Sequence, residues 1–519
     1  MTTDAILDSP FATTSPLDGA PLTEVTPTPV ADVATKVARA REAQPGWAAT
    51  SLEARIKILR SVKDRALDRS EQIAREVHKE IGRPEVEVLL GEVLPTADVV
   101  KYWTESIEEL LDPVEVELDA LSFPGKVGWT HREPRGVIGL IAPWNMPIAI
   151  PLRTLVPALL AGNAVVFKPS EIAPRSGAIL EELFKGLLPE GVLEVVQGGK
   201  EIGIAVAAAD VDLVVFTGSV AAGRAVAHAC AERLVPCSLE LGGKDAAIVL
   251  ADADLTRAAN GIVWGALTMG GQNCASVERV YVERAVAKEF TDKVVAAVKA
   301  LLVGDVGPLT TRAQRDLVTE QIASARTAGA RVLAGGEAGA SDYAYEPTVL
   351  EVDSDDLAVM KDETFGPVIP IAIVENAEEA VHRANASRYG LTASIWTKKV
   401  RRGQELARRL RAGVVTINNH AFTGALPAAP WSGMGESGYG ITNSPLALET
   451  LTRPRFVLID RSRANRDMWW YPYTPALRTI ALSYAALRSR TSGIGAKVMA
   501  VFRLLGAVPK RLLGGRARG

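Results

Sequence analysis

Cysteine is scarce in this 519-residue chain, at Cys230, Cys237 and Cys274 only. Three scattered thiols make no disulfide framework, and they fit a reducing compartment, the cytoplasm. Histidine is as sparse: His78, His131, His228, His382 and His420 show no ligand spacing, so no metal site is expected. Neither charge dominates. A net −3 with 23% charged residues argues against a nucleic-acid binder and a disordered chain. No apolar run reaches the roughly 18 residues of a spanning helix. The Thr- and Pro-rich start lacks a basic segment followed by an apolar one. It reads as a flexible arm over residues 1–20 rather than a signal peptide.

What is present is length enough for two or three domains and a clear change of pattern along it. Helical periodicity covers Val33–Trp47, Leu52–Ile81 and Glu85–Leu111. From Val137 short β-branched runs alternate with helices: Val137–Ala142, Ala164–Phe167, Leu193–Val196 and Val214–Thr217, with helices from Ser176, Gly203 and Val220. That alternation predicts βαβ units and a parallel sheet, hence an α/β protein. A second α/β series starts at Ala246–Leu250 and runs to about Asn419.

Chemistry gathers in a few short motifs. Glu240 lies in Leu239-Glu240-Leu241-Gly242-Gly243-Lys244, and Cys274 follows in Gly271-Gln272-Asn273-Cys274-Ala275-Ser276. A thiol and a carboxylate in glycine-flanked turns suit acyl-enzyme chemistry: one attacks a carbonyl, the other activates the water that releases the acid. In Ile141-Ala142-Pro143-Trp144-Asn145-Met146-Pro147, Asn145 is either a turn residue or a fixed amide donor for an oxyanion. Phe216-Thr217-Gly218-Ser219 ends a strand and starts a helix, which is an ordinary N-cap or an anion site for a pyrophosphate. Lys168-Pro169-Ser170-Glu171 sets a lysine and a carboxylate just past a strand, where ribose hydroxyls are bound in dinucleotide folds. Glu363-Thr364-Phe365-Gly366-Pro367 joins a carboxylate to an aromatic face.

Together, in this order, these motifs closely resemble the aldehyde dehydrogenase superfamily over roughly residues 15–460. The resemblance implies a Rossmann-type cofactor domain (21–118 and 133–241), an α/β catalytic domain (242–432) and a small β oligomerisation hairpin (119–132 and 446–460). It implies Cys274 as nucleophile, Glu240 as general base and Asn145 as oxyanion donor. Lys168 and Glu171 would hold the adenosine ribose and Ser219 the pyrophosphate, with Trp144, Phe216 and Gly218 also on the cofactor. Glu363 and Phe365 would border the nicotinamide. The implied cofactor is NAD, with NADP as the alternative, and Arg175 is a candidate to offset the charge of Glu171. The implied partner is a second copy, in a homodimer or homotetramer.

Two stretches depart from the family pattern. Pro430-Trp431-Ser432-Gly433-Met434-Gly435-Glu436-Ser437-Gly438-Tyr439-Gly440 keeps the family's glycines, loses a lysine and gains a bulky Trp431. Residues 461–519 form an extra tail with an aromatic cluster, Trp469-Trp470-Tyr471-Pro472-Tyr473. From Pro475 onward it has nine basic residues and no acidic one. Leu477, Ile480, Tyr484 and Leu487 share one helical face, as do Val498, Phe502 and Leu505. The faces suit either packing on protein or an interfacial anchor at the inner face of a membrane. The expected activity is oxidation of a hydrophobic or long-chain aldehyde to the acid through a cysteine thioester. The alternatives are a small soluble aldehyde or semialdehyde, acyl transfer to coenzyme A, or a fold without chemistry. A semialdehyde would need a basic anchor, and none stands out.

Overall fold

The computed structural model describes residues 9–513, apart from Leu121, Ala421 and Ala464. The chain divides into two compact units, Met1–Pro113 with His131–Arg455, and Val114–Thr130 with Phe456–Gly519.

The larger unit contains two large sheets and two two-stranded ones among its described residues. In the first, β1 (Val137–Ile141), β2 (Ala164–Lys168), β3 (Leu193–Val195), β4 (Leu213–Thr217) and β5 (Cys237–Glu240) lie in the order β3-β2-β1-β4-β5, all neighbours parallel. Every residue of β1 and β2 is buried, which is why these strands read as continuous apolar runs. The order reverses between β1 and β4, so the crevice beyond their carboxyl ends is the topological switch point of an open α/β sheet. The second sheet holds β6 (Asp245–Val249), β7 (Val277–Glu283), β8 (Arg331–Ala334), β9 (Thr348–Val352), β10 (Val368–Val374), β11 (Thr392–Trp396) and β12 (Val414–Ile417). Its order is β8-β9-β10-β7-β6-β11-β12, parallel except for the β8–β9 edge. The fold is α/β, as the alternation implies.

Several boundaries differ from expectation. Residues 52–81 form two helices, Leu52–Asp68 and Ser70–Ile81, broken at Arg69. The weak helix formers Asp68 and Ser70 flank the break. The helical stretch from Glu85 to Leu111 contains a π turn at Leu89–Val93, around Gly91. Of the arm expected over 1–20, residues 1–8 lie outside the described part. Beyond them Phe11–Thr14 pairs with Pro21–Val25, across a turn at Asp18-Gly19 where Gly19 has φ 74°. Residues 446–451, assigned above to the oligomerisation hairpin, are not strand. Ala447–Leu451 is a short helix, α3, whose Ala447, Leu448 and Leu451 are buried in the large unit's core.

The smaller unit holds residues 456–460, 126–130 and 114–116 of a sheet whose order is Thr452–Asp460, Lys126–Pro134, Val114–Val116, the last pair antiparallel. Its strands begin earlier than the expected 119–132, because Val114, Glu115 and Val116 pair with Thr130, Trp129 and Gly128. The tail is not a separate body. Two helices, here α4 (Pro475–Arg488) and α5 (Ile494–Leu513), pack on one another within this unit, and Tyr484 and Arg488 bond the Asp119–Ser122 turn.

Candidate active site

Three strand ends and one loop build the site. The chain leaving β1 carries Trp144 and Asn145, that leaving β4 carries Gly218 and Ser219, and β5 ends on Glu240 itself. Cys274 follows a tight turn in which Met269, Gly270 and Gly271 all have positive φ, of 59°, 65° and 72°. Gly271 is required twice over, since a β-carbon there would also collide with the Gly366 carbonyl. Met269 tolerates this conformation because its N–H donates to Glu87 Oε2 across 2.9 Å, with Thr268 Oγ1 donating to the other oxygen across 3.0 Å.

Asn145 is buried, and its Nδ2 donates across 3.0 Å to the carbonyl of Gln272, two residues before Cys274. An amide has a second N–H, so this bond orients Asn145 while leaving it a donor. Cys274 and Glu240 line one cavity of about 210 Å³ with Arg153, Thr217 and Asn273. Its other walls are largely apolar: Leu90, Met146, Ile150, Trp264, Met269, Leu391, Phe422 and Trp431. Burial pushes the Glu240 carboxyl up to about 7, and its Oε1 has no hydrogen-bond partner among the described residues. Burial also pushes the Cys274 thiol up, reinforced by the carboxylates of Asp245, Glu240 and Glu363, while Arg153 pulls it down.

A second cleft, of about 490 Å³, is lined by Ser219, Val220, Glu363, Arg388 and Tyr389 among others. Ser219 caps the helix α2 (Val220–Glu232), its Oγ accepting from Ala222 N across 3.3 Å. Glu363 Oε1 accepts the Gly243 N–H across 3.0 Å, and burial raises its carboxyl to about 8. Lys244 is buried and bonds Glu278 across 2.6 Å, while Glu278 accepts the N–H groups of Thr364 and Phe365 at 2.7 and 2.8 Å. The lysine of the Glu-Leu-Gly-Gly-Lys motif therefore supports the turn that carries Glu363 and Phe365. Phe365, at φ 48°, meets Trp144 edge to face with 5.6 Å between rings.

Not every candidate faces a cleft. Phe216 is buried in the core, its ring so close beneath Gly218 that a β-carbon there would come within 2.7 Å. Lys168 and Glu171 pair with each other across 2.8 Å at the end of β2. Arg175 is not free to offset Glu171. Its guanidinium is taken up by Glu76 and by Glu182, the latter across 2.6 Å.

Residues 3–457 match the aldehyde dehydrogenase family. The chain belongs to that family. It is an NAD(P)-dependent oxidoreductase of the aldehyde group. It is 34% identical to a 4,4'-diapolycopene aldehyde oxidase from Methylomonas sp over 470 residues, 89% of this chain and 88% of that protein. It is 35% identical to a benzaldehyde dehydrogenase [NAD(+)] from Pseudomonas putida over 453 residues, 85% and 90% of the two chains. The crystal structure of PnpE from Pseudomonas sp. WBC-3 superposes with a TM-score of 0.84 at 32% identity, covering 89% of this chain and 96% of that one.

Around this dehydrogenase's cavity stand residues that the motifs do not reveal. Arg153, on the buried helix α1 (Ala149–Leu160), lines the cavity beside Gly424 and makes no ion pair or hydrogen bond among the described residues. Its signal was present: it is the lone charge in twelve buried residues. Arg83 and Glu92 bond across 2.8 Å, and Glu92 Oε2 accepts the N–H groups of Ile148 and Ala149 at the start of that helix. His420 Nε2 lies 2.9 Å from the carbonyl of Ala275, and burial lowers the imidazole to about 4, so the ring is neutral and donates. The glycine-rich stretch 433–440 packs on the backbone of Glu240's turn. Leu241 N donates to Ser437 O, and Tyr439 N and Gly440 N donate to Leu239 O. Of that stretch's neighbourhood, Trp431 is the residue that reaches the cavity wall.

Proposed function

We propose that this dehydrogenase oxidises a hydrophobic aldehyde to the free carboxylic acid, with Cys274 as nucleophile, Glu240 as base and Asn145 as oxyanion donor. The observation that carries the reading is the apolar cavity in which Cys274 and Glu240 meet. Burial raises the Cys274 thiol, so its proton passes to solvent before sulfur attacks, and Glu240 near 7 is matched to deprotonating the water that attacks later. Sulfur adds to the aldehyde carbon, and the Cys274 N–H with the second Asn145 N–H stabilises the oxyanion. NAD, when bound, supplies the hydride acceptor. The acyl group then remains on Cys274 as a thioester. Glu240 removes a proton from water, the hydroxyl replaces sulfur on the acyl carbon, and the thiolate leaves. A base placed for this step favours hydrolysis over transfer to coenzyme A.

The residues present fit a dinucleotide. Ser219 and the free N–H groups of its helix suit a pyrophosphate, Glu363 suits the nicotinamide ribose, and Lys168 with Glu171 the adenosine ribose. NAD is favoured over NADP because Glu171 opposes a 2′-phosphate and Arg175 is engaged elsewhere. A homodimer or homotetramer is favoured by the strand Thr452–Asp460, an edge of its sheet that exposes Phe456 and Leu458.

Arg153 supports a second reading, a substrate with a carboxylate at a distance from its aldehyde, since a buried cation with no hydrogen bond or ion pair among the described residues suits such an anion. The deciding test is NADH formation across aldehydes of increasing chain length, with and without a terminal carboxylate, alongside Cys274→Ala. Rates rising with apolar length and lost in the variant bear out the first reading. Activity confined to carboxylate-bearing aldehydes replaces it with the second.

A further inference from the structure

The tail's two helices leave an apolar surface uncovered. Helix α4 buries Leu477 and Ile480, as its periodicity requires. Helix α5 does the opposite of what its large residues suggest. It turns the small Ala500 and Ala507 inward and leaves Ile494, Val498, Phe502 and Leu505 at 84%, 50%, 67% and 67% exposure. At about 100° per residue these four and Val501 occupy an arc of roughly 100° on the outer face. Lys497 lies about 40° beyond one edge of that arc, and Lys510 and Arg503 about 80° and 100° beyond the other.

The aromatic cluster is held to the same unit. Arg511, itself buried, donates to the carbonyls of Met468 at 3.2 Å and Pro472 at 2.8 Å, and to that of Trp470. A buried guanidinium thus fixes the backbone of 468–472, while the rings of Trp469, Trp470, Tyr471 and Tyr473 stay exposed. No acidic residue follows Asp467 in the chain.

We propose that this unit docks on an anionic lipid bilayer, with α5 lying in the interface plane and the Trp469–Tyr473 loop at headgroup level. An apolar arc bordered by cations, beside exposed tryptophan and tyrosine, is the pattern that partitions into an interface. None of the helices described is long and apolar enough to cross a membrane, so the contact is peripheral. A second copy is the weaker occupant. It would bring the same cationic borders together with no acidic residue from 468 onward to offset them, whereas anionic headgroups complement them.

The test is flotation of the full-length protein with phosphatidylcholine vesicles, with and without about one-third phosphatidylglycerol, a charge density typical of anionic leaflets. Flotation is expected only with phosphatidylglycerol, and Phe502→Glu/Leu505→Glu should lower it about tenfold or more. Oxidation of a short soluble aldehyde and the molar mass by light scattering should not change. Trp469→Phe/Trp470→Phe supplies an independent check, because the blue shift of tryptophan emission on adding these vesicles should shrink. Failure of the parent protein to float overturns the proposal, as does flotation indifferent to the glutamates. A fall in molar mass in the glutamate variant also overturns it and makes the face a contact between copies.

Discussion

Arg83 Nη1 and Glu92 Oε1 are 2.8 Å apart, and both side chains are buried. Through Glu92's other oxygen the pair reaches the start of α1, and Glu87 nearby holds the turn before Cys274. A π turn brings this about: Leu89–Val93 contains Glu92 and starts two residues after Glu87, and at Gly91 any β-carbon would collide with the Arg83 guanidinium. Cutting one partner leaves a buried charge unmatched. Arg83→Ala is expected to cost about 3–5 kcal/mol of stability, read from denaturant unfolding. Arg83→Lys should recover only part of it.

Glu240 provides a kinetic signature. In Glu240→Gln the acyl-enzyme cannot be hydrolysed efficiently, so a burst of NADH near one equivalent per site should precede a steady rate lowered by about 10²–10⁴. In the parent enzyme, the base must be ionised to act. Turnover limited by hydrolysis should therefore rise with pH through about 7 and level above it. Stopped-flow absorbance at 340 nm across pH separates the burst from the steady phase.

Arg153→Leu distinguishes the two substrate classes. With an apolar aldehyde it should lower kcat/KM only modestly, through the thiol that Arg153 helps to ionise. With a carboxylate-bearing aldehyde it should cost about 2–5 kcal/mol of transition-state binding, the usual loss when one member of a buried charge pair is removed. Paired kcat/KM values for one substrate of each kind settle the matter.

His420 predicts a loss of stability in acid. Its folded pKa of about 4 is below the ordinary 6.5. Its contribution is therefore fully present above pH 6.5 and is lost as pH falls towards 4. Melting temperatures measured over that window should decline, and His420→Gln should decline less steeply.

Much of this was legible in the chain. Cys274, Glu240 and Asn145 stand in motifs whose glycines and prolines mark turns, and the buried strands betray themselves by uninterrupted β-branched runs. Arg83, Glu87 and Glu92 did not, because charges at helical spacing look the same whether they face water or a buried partner. In α5 the periodicity gave the correct set Val498, Phe502 and Leu505 but not its direction. Ala500 and Ala507 allow a closer helix contact than the larger residues do, and periodicity alone does not say which face turns inward. The early start of the small sheet at Val114 was set by pairing with Gly128–Thr130, at a distance that local pattern does not carry.

Trp431 and the glycines that follow it belong to one continuous stretch of chain. One end forms cavity wall and the other is hydrogen-bonded to the backbone on either side of Glu240. An attempt to enlarge the cavity by transplanting this segment from a relative would also disturb Glu240, the proposed base. Widening it by a single Trp431→Ala exchange leaves the backbone anchors of Glu240 in place. Scope of substrate and speed of release are, along this segment, a single inherited trait.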